Sequence, residues 1–120
     1  MGIDFCATLG KHYLNYMAER EKVNFIIDEK GFCGFKAMGS VLYIVDMYVD
    51  KQFRGSKTCR EYVEQLMGIC RGFKLKALLC ECQKADENFV KNSKWIQILG
   101  FKKTQEDEHT VYYSKEVVYG

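Results

Sequence analysis

Nine residues in the middle of the chain have the make-up of an anion site. They are Asp50-Lys51-Gln52-Phe53-Arg54-Gly55-Ser56-Lys57-Thr58, polar, basic and interrupted by one glycine. Before them, Val41–Val49 is β-branched and aromatic with a single charge, Asp46. Such a run fits a strand covered on both faces. After them, Cys59, Val63, Leu66, Cys70 and Phe73 recur at helical spacing, with Glu61, Glu64 and Arg71 on other faces. Gly72 reads as the stop. A strand feeding a basic glycine turn that opens a helix has a chemical use. The leading N–H groups of a helix lack internal partners. They emerge where the macrodipole is positive, and phosphate binds there readily. Gly55 lets the backbone come close to a ligand, and Arg54 and Lys57 add charge. The expectation is a pyrophosphate-sized anion at residues 52–59. Nucleotide binding through a P-loop is excluded. That motif needs glycine directly before the lysine and again five residues earlier, where this chain has Ser56 and Lys51.

The elements around this loop follow from periodicity. Residues 3–20 carry Phe5, Leu9, Tyr13, Tyr16 and Met17 at helical spacing, with Lys11, Asn15 and Glu19 outward. Val23–Asp28 reads as a strand, and Glu29-Lys30-Gly31 as a turn with glycine for positive φ. Phe32–Met38 returns as a strand in which Gly34 marks a bulge. Gly39-Ser40 turns the chain into the central strand. The helix after Val49 then acts as a crossover to a parallel strand, Ala77–Cys82. Asn88–Leu99 reads as a helix capped by Asn88 and stopped by Gly100, with Phe89, Trp95, Ile96, Ile98 and Leu99 on its apolar side. A long hairpin, Phe101–Gln105 and Thr110–Val117, closes the chain around a solvated acidic turn. The fold class is α+β: a mixed, mostly antiparallel sheet flanked by helices.

Composition sets the bounds. The 120 residues read as one domain, 1–120, with 48% hydrophobic and 14% aromatic side chains. Net charge is +2 from 18 basic and 16 acidic groups. That balance argues against nucleic acid as a partner. No run approaches the ~20 apolar residues of a membrane span. Six cysteines occur with no signal peptide ahead of them, and several fall on apolar positions, so they read as reduced core residues of a cytoplasmic protein. Cys80-x-Cys82 lacks zinc spacing, and no metal is expected. Met1-Gly2 is discounted as an acylation signal because Cys6 replaces the Ser or Thr required. The tail, Val111-Tyr112-Tyr113 and Val117-Val118-Tyr119, is apolar enough for a core strand or for a homodimer contact.

The stretch Met47-Tyr48-Val49-Asp50-Lys51-Gln52-Phe53-Arg54-Gly55-Ser56-Lys57 resembles motif A of the GNAT acetyltransferase superfamily. That motif reads Gln/Arg-x-x-Gly-x-Gly/Ala after a strand ending hydrophobic-Tyr-Val. Gln52, Arg54 and Gly55 match, and Lys57 stands where a second small residue is usual. The order of elements after it, and the Leu99-Gly100-Phe101 ending, are similar too, over roughly Val23–Val117. Asn92–Phe101 also resembles the Trp-bearing helix of short phage-encoded GNAT-like proteins. The resemblance implies a parallel strand pair splayed at its carboxyl end, with acetyl-CoA as acyl donor. It assigns the pyrophosphate to the loop Gln52, Phe53, Arg54, Gly55, Ser56, Lys57 and Thr58. It gives the pantetheine arm and acetyl carbonyl to the backbone of Met47 and Val49, with Asn88 touching pantetheine. It places His12, Tyr13 and Tyr16 near the acceptor groove. The family's usual first strand is missing or replaced by the N-terminal helix.

Acetyl transfer to an amine needs a proton acceptor, a stabilised carbonyl oxygen and a proton for the leaving thiolate. Backbone N–H groups near Met47–Val49 suit the oxygen. Asp46 and Glu81 are the candidate bases, directly or through water. Many family members have a Tyr four residues before the Gly-Phe pair, and here that position is Ile96. Tyr48, Tyr112, Tyr113 or water must then supply the proton. The reading is an acetyl-CoA-dependent N-acetyltransferase for a primary amine, small or protein-borne. The alternative is a catalytically weak or inactive GNAT-like binding or structural module, which Lys57 and Ile96 favour. A third is an unrelated small α+β binding protein.

Overall fold

The computed structural model describes residues 10–55 and 57–119. The expected contributions of Phe5, Leu9 and Ser56 lie outside the described residues. Helical residues 10–16 (α1) run into a π-helical turn, Met17–Glu21, closed by Lys22 in the left-handed region at φ 61°. Six strands follow: β1 (Asn24–Asp28), β2 (Gly31–Met38), β3 (Val41–Val49), β4 (Ala77–Gln83), β5 (Lys102–Glu106) and β6 (Thr110–Glu116). Two further helices are α2 (Thr58–Gly72), between β3 and β4, and α3 (Phe89–Ile98), between β4 and β5. The sheet order is β1-β2-β3-β4-β6-β5. Only β3 and β4 pair in parallel; the other neighbours are antiparallel. This is the mixed α+β architecture expected, with α2 as the crossover.

The core lies on one face of this sheet. Helix α2 buries Tyr62, Val63, Leu66, Met67 and Cys70, a stripe at i, i+1, i+4, i+5 and i+8. Against it lie Cys33, Leu42, Leu78, Cys80, Cys82, Val111 and Tyr113. Phe73, expected on that stripe, is 76% exposed. It sits at the C-cap, past the last helical residue, where the 3.6-residue period no longer holds. Gly72 is not the left-handed stop either; Lys74 takes that conformation at φ 57°. Among the described residues Tyr62 is the largest fully buried side chain. Its hydroxyl donates to Asp28 Oδ1 at 2.7 Å, and a buried hydroxyl needs such a partner. Asp28 also accepts from the Lys30 and Gly31 amides, so one carboxylate ties α2 to the β1–β2 turn. These bonds, the Tyr62 hydroxyl first, hold the Asp28 carboxyl below its usual range.

Gly31 has a different reason from the one its turn position suggested. It is absent from the positive-φ residues. Its Cβ, if present, would lie 1.9 Å from the Tyr48 carbonyl oxygen, so close strand approach is what requires glycine there. Gly34 does mark an irregularity: the β2–β3 register shifts between Gly34 and Phe35. Asp46 faces Gly34 and Ile44 faces Phe35, leaving Val45 as the extra residue on β3.

The acidic turn between β5 and β6 is not merely solvated. Glu106 pairs with Lys84 at 2.6 Å and with Lys103. Asp107 accepts from the His109 and Thr110 amides and from the Tyr112 hydroxyl. In the tail, Val111, Tyr113 and Val117 belong to the core. Tyr119 donates to the Cys70 and Leu75 carbonyls, and Val118 is left exposed. Five described cysteines, Cys33, Cys59, Cys70, Cys80 and Cys82, are free thiols. Among the described residues no helix is long and apolar enough to cross a membrane.

Two outcomes are expected. Gly31→Ala forces β2 from β3 and costs about 3 kcal/mol, the upper end for overpacking. Gly39→Ala, left-handed at φ 64° with open space around it, costs only about 1 kcal/mol. Urea midpoints measure both, and equal losses would refute the close-contact account. The lysine hydrogen bonds and charges hold Glu106 down at about 2. A depressed carboxylate stabilises the folded state above its unfolded value and loses that contribution as pH falls toward the folded one. Acid unfolding curves of Glu106→Gln should therefore converge on wild type as pH drops from 5 to 2, with wild type the more stable only at the upper end.

Candidate active site

The parallel ladder between β3 and β4 is short. Val41, Leu42 and Tyr43 face Ala77, Leu78 and Leu79, and no later pair forms. β3 continues to Val49 and β4 to Gln83, so the two strands part at their carboxyl ends. The bulge at Val45 lies two residues past the last pair and bends β3 there. The result is a fork in the sheet whose inner edges carry strand backbone without a neighbouring strand.

The loop from β3 to α2 borders this fork. Asp50 accepts from the Gln52 amide at 3.2 Å and opens a short 3-10 turn, Lys51–Phe53. Phe53 packs against the core. Gly55 takes φ 83°, and nothing lies within 4 Å of where a Cβ would project. Lys57 is the N-cap of α2 and supplies no capping side chain. The first bond of the helix runs from the Glu61 N–H to the Lys57 carbonyl, so the amides ahead of Glu61 point out of the helix end. Thr58 is buried at the first helical position.

Arg54 does not simply add charge to the loop. Its Nε donates to the Val49 carbonyl at 2.9 Å, and its guanidinium lies over the Tyr48 ring, 5.6 Å from the centroid. The cation is thereby tied to the end of β3. Tyr48 stacks in turn on Phe32, and Phe32 meets Phe25 edge-on.

Strand alternation sorts the candidate side chains. Met47 packs on the core and Val49 is buried, on the α2 face. Asp46 and Tyr48 point to the opposite face, in register with Gly34 and Phe32. On β4, Leu78, Cys80 and Cys82 are buried in the core, which sets Glu81 on the face shared by Asp46 and Tyr48. All three candidate catalytic residues therefore flank the fork on the side away from α2. Asp46 is exposed and Glu81 half-buried. Asn88 occupies the N-cap of α3 but makes no side-chain cap bond. Its own amide is instead held by Asp86 Oδ1 at 2.7 Å, so the expected capping is replaced by an aspartate turn. Ile96 packs against the core, while Trp95 is 43% exposed.

Three residues near the fork carried no signal in the sequence. Gln83 Nε2 donates to Glu81 Oε1 at 3.3 Å, and Tyr43 lies near the same carboxylate. Thr110 Oγ1 donates to Gln83 Oε1 at 3.2 Å. Burial, with the nearby Glu81 carboxylate second, pushes the Tyr43 hydroxyl well above its usual value, so it remains a donor. Only the i, i+2 spacing of Glu81 and Gln83 hinted at a shared strand face. A shallow groove between α3 and the β5–β6 hairpin, lined by Val90, Lys94, Ile98 and Lys103, lies away from these groups.

No family model and no curated protein matches the chain. Solved structures do. A GNAT-family protein of Desulfovibrio desulfuricans superposes with a TM-score of 0.70 at 12% identity, covering 87% of this chain and 76% of that one. A ribosomal-protein alanine N-acetyltransferase of Escherichia coli gives 0.64 at 12% identity, with 92% and 77% covered. A Bacillus anthracis protein described as a streptothricin acetyltransferase, crystallised with acetyl coenzyme A, gives 0.63 at 21% identity, with 72% and 56% covered. The likeness is one of fold across proteins of little sequence identity, and this chain has the GNAT acetyltransferase fold.

Proposed function

We propose that the protein is an acetyl-CoA-dependent N-acetyltransferase acting on a primary amine. The observation that carries this reading is the fork between β3 and β4, opening beside the leading turn of α2. A long, narrow donor with a phosphate-rich end fits that arrangement. Outward amides and the unhindered Gly55 suit pyrophosphate, and an unpaired strand edge suits the amide-bearing arm. In this reading Gln52, Phe53, Arg54, Gly55, Ser56, Lys57 and Thr58 form the pyrophosphate cradle. Met47 and Val49 offer backbone to the arm, and Asn88, at the N-cap of α3, is its further contact. The Val49 carbonyl already accepts from Arg54, which leaves Met47 the larger share. Bound acetyl-CoA supplies an activated acetyl thioester. The chain supplies Asp46, Tyr48 and Glu81 on the face from which an acceptor amine arrives.

A specific feature favours the alternative, a GNAT-like module that binds coenzyme A weakly and does not turn it over. Arg54 is engaged with Val49 and Tyr48, and Lys57 stands at the helix N-cap. A lysine side chain there is bulkier than the small residue usual in the family, though its charge suits a phosphate.

Thermal unfolding with acetyl-CoA separates the two. A ligand at ~100 times its dissociation constant adds about 2.7 kcal/mol, which raises Tm by roughly 10 °C in a domain of this size. Gly55→Asp, which places a carboxylate in the cradle and strains a left-handed residue, should abolish that shift while the domain still unfolds cooperatively. No shift at millimolar acetyl-CoA in wild type would sink the donor assignment, and an undiminished shift in Gly55→Asp would sink the cradle.

A further inference from the structure

The face of the sheet turned away from α2 carries an aromatic platform beside the fork. Cross-strand register sets it in two rows. Ile27, Phe32 and Tyr48 lie side by side on β1, β2 and β3, and Phe25, Gly34 and Asp46 form the row next to them. The rings meet in sequence. Phe32 stacks on Tyr48 with centroids 5.9 Å apart, Phe25 meets Phe32 edge-on at 6.0 Å, and Tyr13 of α1 stands 6.5 Å from Phe25. Gly34 leaves a gap that Phe25 fills, since a Cβ there would lie 3.0 Å from its ring. The Phe25 ring thus leans from β1 over β2, in the row that ends at Asp46. Cross-strand aromatic pairs stabilise a sheet, but bracing alone does not require the rings to stay open. Tyr13, Ile27 and Tyr48 are 55%, 54% and 45% exposed, and a contiguous open apolar patch on a small protein marks a contact site.

Two charges say what this patch would meet. Asp46 is exposed at the fork end of its row and forms no ion pair among the described residues. Arg54 stands at the Tyr48 end of the other row, 5.6 Å from the ring centroid. One end attracts a single cation, and the other repels a second.

We infer that this platform binds a primary amine carried on one flat aromatic body, with Asp46 holding the ammonium at the fork and Phe25 and Phe32 taking the body. That this ligand is the acetyl acceptor rests on the acetyltransferase reading above; that it binds does not. The two rows are two residues of strand apart, about 7 Å, so a tether of roughly two or three carbons lets a ring reach Phe32 while the nitrogen stays at Asp46. A ring offset or edge-on against Phe32 gains more than its buried area alone supplies. A plain alkylamine leaves the rings uncovered, and a polyamine sets its further ammonium groups against Arg54. In the transfer, the nitrogen bonds to the thioester carbonyl carbon and the C–S bond breaks with its electron pair on sulfur. The ammonium loses two protons in all, one taken up by the thiolate and one by solvent.

The test measures binding of 2-phenylethylamine, butylamine and spermidine to the full chain by calorimetry, and thiol release from acetyl-CoA with the same three amines. 2-Phenylethylamine should bind about tenfold more tightly than either of the others. Phe32→Leu and Phe25→Leu keep apolar bulk and remove a ring; each should narrow that preference about fivefold, and the pair covers the case in which one folds poorly. Asp46→Asn should weaken 2-phenylethylamine and butylamine alike. Equal affinity for 2-phenylethylamine and butylamine, tightest binding of spermidine, or an undiminished preference in both ring variants overturns the platform. Unchanged amine affinity in Asp46→Asn overturns the anchor. Thiol release that follows the binding preference supports the acceptor assignment, and selective binding without release by a protein that binds acetyl-CoA overturns it. Selective binding of 2-phenylethylamine by a protein that fails to bind acetyl-CoA upholds the platform and overturns the acetyltransferase reading.

Discussion

The sheet depends on an interruption. Parallel strands normally continue their ladder as far as both remain extended, because each unmade bond leaves backbone N–H and C=O groups without a partner. Here β3 and β4 stop pairing after Tyr43 and Leu79 although both run on for several residues. The extra residue at Val45 lets β3 keep its antiparallel partner β2 while turning from β4. What holds the fork open and in register is therefore on its two flanks. β2 is locked to β3 by the contact that only Gly31 allows, and β4 is locked to β6 over its whole length. Beyond the ladder, β4 is tied further to β6 by the side chains of Gln83 and Thr110.

Much of this was legible in the chain. The run Val41–Val49 is a strand because β-branched and aromatic residues dominate it, although only one of its faces meets the core. α2 follows from its apolar spacing, and the turns at Gly39 and Gly100 from residues that tolerate positive φ. The legible parts are those set by local periodicity and turn chemistry. The failures share one cause, which is that the deciding partner lies far away in sequence. Gly31 is dictated by the carbonyl of Tyr48, not by its own turn. Asp28 looks like a turn residue and is also the partner of Tyr62, 34 positions on. Glu106 looks like part of a solvated acidic tip and is clasped by Lys84. Of the site, the loop and the faces of Asp46, Tyr48 and Glu81 could be read from alternation. The contact of Gln83 with Thr110 could not, since it exists only once β4 and β6 are side by side.

A count of charges in the loop also misleads. Arg54 directs its charge to a carbonyl and an aromatic face at the end of β3, so it acts first as a brace. Polar side chains in this protein repeatedly finish backbone work: Asp28, Asp50, Asp86 and Asp107 each satisfy amides at a turn, and Lys115 satisfies the Leu99 carbonyl at the end of α3.

The buried thiols have a consequence of their own. Cys33 on β2 and Cys70 on α2 are fully inaccessible, and Cys80 and Cys82 line the inner face of β4. Burial pushes Cys33 and Cys80 up to about 12, and only the thiolate reacts with alkylating agents. These groups are silent while the structure is closed and become reactive when the element carrying them opens. Their rates of modification would rank the opening free energies of β2, α2 and β4 separately. The protein thus carries, without any engineered label, an internal clock for each of these three elements.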